Sequence, residues 1–214
     1  NDGIVTTFAV VAGFAGAQAE GVLQIGTVAV LLFGFANLLA DGVSMGLGEF
    51  LSARSQHDVY HAIRHQELRA IAKRPKAEAD EVLAILAHRG VNTEDATAFV
   101  AVLERNPEMM ADFMMSYEFG MSDPDEENPA INGLFTFFSF LVFGVIPILP
   151  YVFLEATQTT FLISVLSTFG ALFSLGLLRW FATLERLVAC LAETVLVGGI
   201  CASVAYGVGL LFGG

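Results

Sequence analysis

Basic residues are scarce in this chain of 214 residues: ten Lys and Arg stand against 22 Asp and Glu, a net charge of -12. That balance excludes a nucleic-acid partner, because phosphate neutralisation needs clustered Lys and Arg. Cysteine is nearly absent, and Cys190 and Cys201 share one apolar run. On a helix they stand about 16 Å apart, beyond the roughly 7 Å that a disulfide tolerates. They read as small buried apolar residues. No nucleophile triad, phosphate-binding loop or cofactor fingerprint is present, which argues against a conventional enzyme. Charge of either sign is sparse at 15%, while 55% of residues are hydrophobic and the mean hydropathy is +0.67. Such a chain is too apolar for a soluble domain of this size, and a membrane protein is the first reading.

The apolar residues fall in runs of membrane length. Ile131 to Leu154 and Ala156 to Leu178 contain no charge, and Leu187 to Gly214 contains only Glu193; each exceeds the roughly 20 residues a helix needs to cross the hydrocarbon. Gly21 to Ala40 is a fourth span, and Val5 to Ala17 a fifth if its helix begins upstream. The first residues, Asn1-Asp2-Gly3, open in mid-element, so a preceding segment is expected. Eight of the ten basic residues lie between Arg54 and Arg105, and the other two, Arg179 and Arg186, flank the link between the last spans. The positive-inside rule puts both segments in the cytoplasm. The predicted fold class is an all-α membrane protein with five transmembrane helices, its N-terminus inside and its C-terminus outside. Residues 1–53 carry spans one and two, 54–128 form a helical cytoplasmic insertion, and 129–214 carry spans three to five.

The insertion reads as helical throughout. Ser52 to Lys73 continues span two until Pro75 breaks it. Lys76 to Arg89 carries an apolar stripe of Val82, Leu83, Leu86 and Ala87 and stops at Gly90. Thr93 is placed to cap a short helix through Arg105, with Glu94 and Asp95 in its first turn. Asn106-Pro107 opens another to Phe119. An acidic linker, Ser122 to Pro129, leads into span three, where Pro147 and Pro150 predict a kink.

Within span two, Asn37, Asp41, Met45 and Glu49 recur every fourth residue and share one helical face. An ionisable group inside a span costs about 2.5–3.5 kcal/mol on insertion scales and usually faces a cavity, a partner or a transported ion. The spacing alone admits two readings: a hydrated membrane exit, or an ion path. Gly42, Gly46 and Gly48 beside the ladder permit close helix approach, which suits the second.

A second constellation lies in the insertion. Glu78 and Glu81 share a helical face, Glu67 lies on the preceding helix, and Met110, Met114 and Glu118 are spaced by four, with Met115 three before Glu118. Carboxylates alone suit hard cations, and thioethers shift the preference toward borderline ions such as Fe²⁺. Solvated glutamates and core methionines are the competing account. His57, His61 and His65 form a third stripe at spacing four, which suits Zn²⁺ or Ni²⁺ or is simply solvated. Glu193 is read as paired with Arg186, seven residues earlier, or as a proton-handling group.

These motifs resemble the vacuolar iron transporter family, which includes plant vacuolar iron transporters and the yeast Ca²⁺-sensitive cross-complementer. Four ordered stretches carry the resemblance: Asn1-Asp2-Gly3 with Thr6 to Gly13, Asp41 to Ser55, Asp112 to Glu118, and Val145 to Tyr151. The resemblance implies a five-span homodimer that exports cytosolic Fe²⁺, with Mn²⁺ and Zn²⁺ as further candidate ions, in exchange for protons. It places the protein in a bacterial inner membrane or a eukaryotic vacuolar membrane. By position, Asp2 matches the family's acidic residue of span one and Met45 its methionine of span two, and Asn37, Asp41 and Glu49 complete the expected pathway. Glu67, Glu78, Glu81, Met114, Met115 and Glu118 match its cytoplasmic metal ligands. Two positions depart from the plant type: Ala70 replaces a glutamate, and Asn37 replaces a membrane glutamate while Asp41 adds a carboxylate one turn away. Two other classes stay open, a membrane-anchored metal sensor and the membrane half of a ferritin-like fusion.

Overall fold

A computed structural model describes residues 2–18, 26–124, 128–183 and 186–213. Among them every regular element is an α-helix. In chain order these are α1 (Asp2–Gln18), α2 (Thr27–Lys73), α3 (Pro75–His88), α4 (Thr93–Leu103), α5 (Pro107–Tyr117), α6 (Pro129–Gly144), α7 (Leu149–Phe153), α8 (Gln158–Thr183) and α9 (Leu187–Gly213). Three of them, α2, α8 and α9, are long and apolar enough to cross a membrane, and α6 is a shorter apolar helix. The expected start of span two at 21–25 and the acidic residues 125–127 lie outside the described residues.

The chain forms two compact units, one of residues up to Glu49 together with those from Gly133 onward, the other Phe50–Asn132. In the first, glycines let helices meet at backbone distance. A Cβ on Gly16 or Gly209 would collide with backbone across the α1–α9 contact. On α2, Gly34, Leu38, Gly42 and Gly46 form a stripe at spacing four against Ile148, Leu141, Phe137 and Gly133. A Cβ on Gly46 would stand 2.9 Å from the Gly133 carbonyl oxygen, whereas one on Gly48 would meet open space. Gly46→Val should therefore lower stability by about 1–3 kcal/mol, the usual cost of overpacking, with Gly48→Ala close to neutral. Thermal unfolding in detergent checks both.

Proline chemistry interrupts the segment expected as the third span. The expected kink is a full break: α6 stops at Gly144, residues 145–148 turn, and α7 begins at Leu149 with Pro150 in its first turn. Pro147 has no N–H to continue the ladder. Its carbonyl is satisfied by the buried Ser164 hydroxyl of α8, which donates to it at 2.6 Å, the kind of rescue that irregular backbone at membrane depth requires.

In the second unit, α2 runs to Lys73, and Pro75 at the start of α3 ends it as predicted. Gly90, at φ +83°, closes α3 with paired bonds from Gly90 N–H to the Ala87 carbonyl and from Val91 N–H to that of Leu86. The cap of α4 is Asn92 and not Thr93. Asn92 is in extended geometry, and its Oδ1 accepts from the Asp95 N–H at 2.9 Å. Asn side chains cap at least as well as Thr, so the helix takes one more residue. Asn106 precedes α5 without a side-chain cap, because its Nδ2 instead donates to the Val102 carbonyl. The core of this unit joins Ile71, Val82, Leu86, Val100, Leu103, Met110 and Met114.

Two further expectations resolve in the first unit. Cys190 is buried and Cys201 half-buried, and no disulfide joins them. Glu193 pairs with Arg179 of α8, Nη1 to Oε2 at 2.7 Å, and not with Arg186. A residue on the neighbouring helix reaches the carboxylate where a same-helix partner two turns away was expected.

Candidate metal centre

The second unit gathers its carboxylates by helix geometry. Glu67 comes from α2, Glu78 and Glu81 from the first two turns of α3, and Glu118 from the end of α5. The backbone there reverses through Gly120 at φ +66°, with the N–H groups of Phe119 and Met121 returning to the Met114 and Met115 carbonyls. Glu67 is 8% exposed and Glu78 only 2%. Burial of such groups is costly unless they are paired. Glu78 has Arg74, whose Nη2 lies 3.3 Å from Oε1. Among the described residues Glu67 has no cation beside it, and its Oε1 is buried without a hydrogen-bond partner.

The electrostatics follow from that arrangement. Burial, then a hydrogen bond with Glu78, then the charges of Glu78, Glu118 and Glu81 raise the Glu67 pKa to about 7. Glu118 is also raised, by burial and by the charges of Glu81 and Glu78. Mutual repulsion of this kind is what a divalent cation relieves. Among the described residues, no three His, Cys, Asp or Glu side chains stand at coordinating distance from one point. Glutamates that repel one another do not close a shell without the ion.

The methionines divide. Met114 packs with Met110 in the apolar core, as the core account expects, and Met115 is fully buried outside that cluster. A pair of contacts that sequence reasoning missed sets α5 against α2: Arg64 Nε and Nη2 reach Asp112 and Glu108, each at 2.7 Å. Both carboxylates hold the guanidinium pKa well above its usual value. The partners are more than half exposed, so the clamp adds only about 1 kcal/mol, and its role is register. Arg64 precedes Glu67 by one helical turn and Asp112 precedes Met114 by two residues. The signal available in sequence was that adjacency.

The first unit holds the ladder. Asn37 Nδ2 donates to Asp41 Oδ2 at 2.7 Å. The glycine stripe turns one face of α2 onto α6, and the ladder lies about 100° around the helix, where Asn37 and Asp41 are half-buried and Met45 and Glu49 exposed. Asp2 is exposed in the first turn of α1. Asn37 also lines an apolar groove of about 730 Å³ with residues of α1, α2 and α9, among them Phe14, Phe33 and Phe212.

The model of the VIT family matches residues 1–210. The vacuolar iron transporter of Centaurea cyanus is 34% identical over 207 residues, 97% of this chain and 82% of that protein. Vacuolar iron transporter 1 of Oryza sativa is 33% identical over 97% of this chain and 80% of its own length. The vacuolar iron transporter of Plasmodium falciparum is 33% identical over 98% and 78%.

Proposed function

The chain belongs to the VIT family, a multi-pass membrane transporter of metal ions and not an enzyme, and from that premise we propose that it exports Fe²⁺ from the cytoplasm in exchange for protons, with Mn²⁺ as a second cargo. The observation that carries this reading is the buried, unpartnered Oε1 of Glu67 beside Glu78, with Glu81 and Glu118 in electrostatic range. A fold that holds four carboxylates together and leaves a buried one, Glu67, with no cation beside it among the described residues favours a divalent guest. Met115 and Met114 bring thioether sulfur to the same helix as Glu118, which moves the preference from hard cations toward Fe²⁺.

Direction follows from charge. The insertion 54–128, flanked by spans one and two (1–53) and three to five (129–214), carries most of the basic residues and is cytoplasmic by the positive-inside rule. The ion is collected there by Glu67, Glu78, Glu81, Glu118 and the methionines, then carried across by Asp2, Asp41, Met45 and Glu49. Asn37 orients the Asp41 carboxylate through its amide. A second copy of the chain covers the exposed Met45–Glu49 face, so that two ladders line one path. Carboxylates must lose their protons to bind metal, so protons arriving from the far side displace the ion. The membrane is vacuolar where the cell has vacuoles, and the inner membrane in a bacterium.

Proteoliposomes loaded with a ferrous-sensitive dye test the reading. Fe²⁺ entry should accelerate when the lumen is acidic and slow when a protonophore collapses the gradient, with Mn²⁺ competing. Uptake indifferent to the gradient removes proton exchange, and binding without uptake by the intact protein makes it a sensor.

A further inference from the structure

The iron path proposed above leaves the histidine stripe of α2 unused, and the first two members of that stripe are brought together. His57 and His61 are half-buried in the second unit, with ring centroids 4.3 Å apart and their Nε2 atoms 3.2 Å apart. Tyr60, 4% exposed, stands edge-on to the His61 ring at 5.6 Å and 89°, so that ring is held against a fixed neighbour.

That separation matches a chelate. Zinc–imidazole bonds of about 2.0–2.1 Å to both nitrogens, across the 3.2 Å gap, give an N–metal–N angle of about 100–105°, close to tetrahedral. We propose that His57 and His61 form a two-imidazole site for a late first-row divalent ion, Zn²⁺ in the first instance, separate in ligand chemistry from the carboxylate and thioether centre. With the ion bound, both neutral rings carry their proton on Nδ1 and turn the Nε2 lone pairs to the metal. Imidazole favours Zn²⁺, Ni²⁺ and Cu²⁺ over Fe²⁺, in the order of divalent affinities. Among the described residues no third His, Cys, Asp or Glu completes a three-ligand group with the pair, and the two rings are the donors that the proposal requires. His65, exposed one turn further along, is not required.

Calorimetric titration of the full-length protein with Zn²⁺, in a Glu67→Gln/Glu78→Gln background that removes the carboxylate centre, isolates this site. One Zn²⁺ per chain should bind there and be lost in His57→Ala and in His61→Gln, with His65→Ala unchanged. Cu²⁺ at one equivalent should give an electron paramagnetic resonance spectrum with two nitrogen donors, reduced to one by either substitution. Retention of the Zn²⁺ in both His variants, or nitrogen couplings that survive them, overturns the proposal. Size exclusion and far-ultraviolet dichroism on the same samples establish that the variants are folded.

Discussion

Fe²⁺ uptake into proteoliposomes should fall to the level of empty vesicles for Asp41→Ala, and likewise for Met45→Ala. A carboxylate inside an apolar helix lowers stability by about 2.5–3.5 kcal/mol on insertion scales, less near the interface. If Asp41 only marked a hydrated exit, replacing it with alanine would relieve that cost and leave uptake intact. Met45 makes the contrast sharper, since it is 43% exposed and its truncation opens no cavity in the chain's own core. A structural role for it predicts no effect, so loss of uptake with normal folding assigns it to the path. The amide of Asn37 bonded to Asp41 adds a rescue. Asn37→Glu in the Asp41→Ala background restores a carboxylate one turn away, and partial return of uptake would show that charge, and not its exact position, is what the ion requires. Full uptake by Asp41→Ala removes the ladder from the mechanism.

Legibility in the sequence varied with the range of the interaction. Helix stops set by single residues were readable, because Pro75 and Gly90 act through their own backbone. The long run of α2 from Thr27 to Lys73 followed from continuous helical pattern with no breaker. The break after Gly144 was underestimated, since its completion depends on the Ser164 hydroxyl from another helix. Arg179 pairing with Glu193 was missed for the same reason. At the candidate centre, residue types and spacing pointed to Glu67, Glu78, Glu81 and Glu118. What spacing could not give was the burial gradient among them, with Glu67 and Glu78 inside and Glu81 and Glu118 at the surface. Nor could it separate Met114, a core residue, from Met115. Burial is a property of three helices together.

The burial of Glu67 yields a prediction of opposite sign in the two metal states. Its pKa, raised to about 7 from 4.5, means that the folded protein holds a proton on this group across that interval while the unfolded chain has released it. Stability from this group is therefore fully present below about 4.5 and declines as pH rises to about 7. Above that the metal-free protein keeps a buried, repelled charge. Glu67→Gln replaces it with a neutral isostere, and in chelator at pH 8 the variant should be more stable than wild type, on the order of 1–3 kcal/mol at 1.36 kcal/mol per pKa unit. With saturating Mn²⁺, an air-stable probe, the order should reverse. Wild type gains the binding free energy, about 4.1 kcal/mol at a thousand times Kd, and the variant, lacking the ligand, does not. The metal-induced gain of wild type should also shrink between pH 8 and pH 6 as protons compete for the same oxygen. A purely structural Glu67 behaves otherwise: its replacement destabilises the protein with or without Mn²⁺, and the two melting curves never cross.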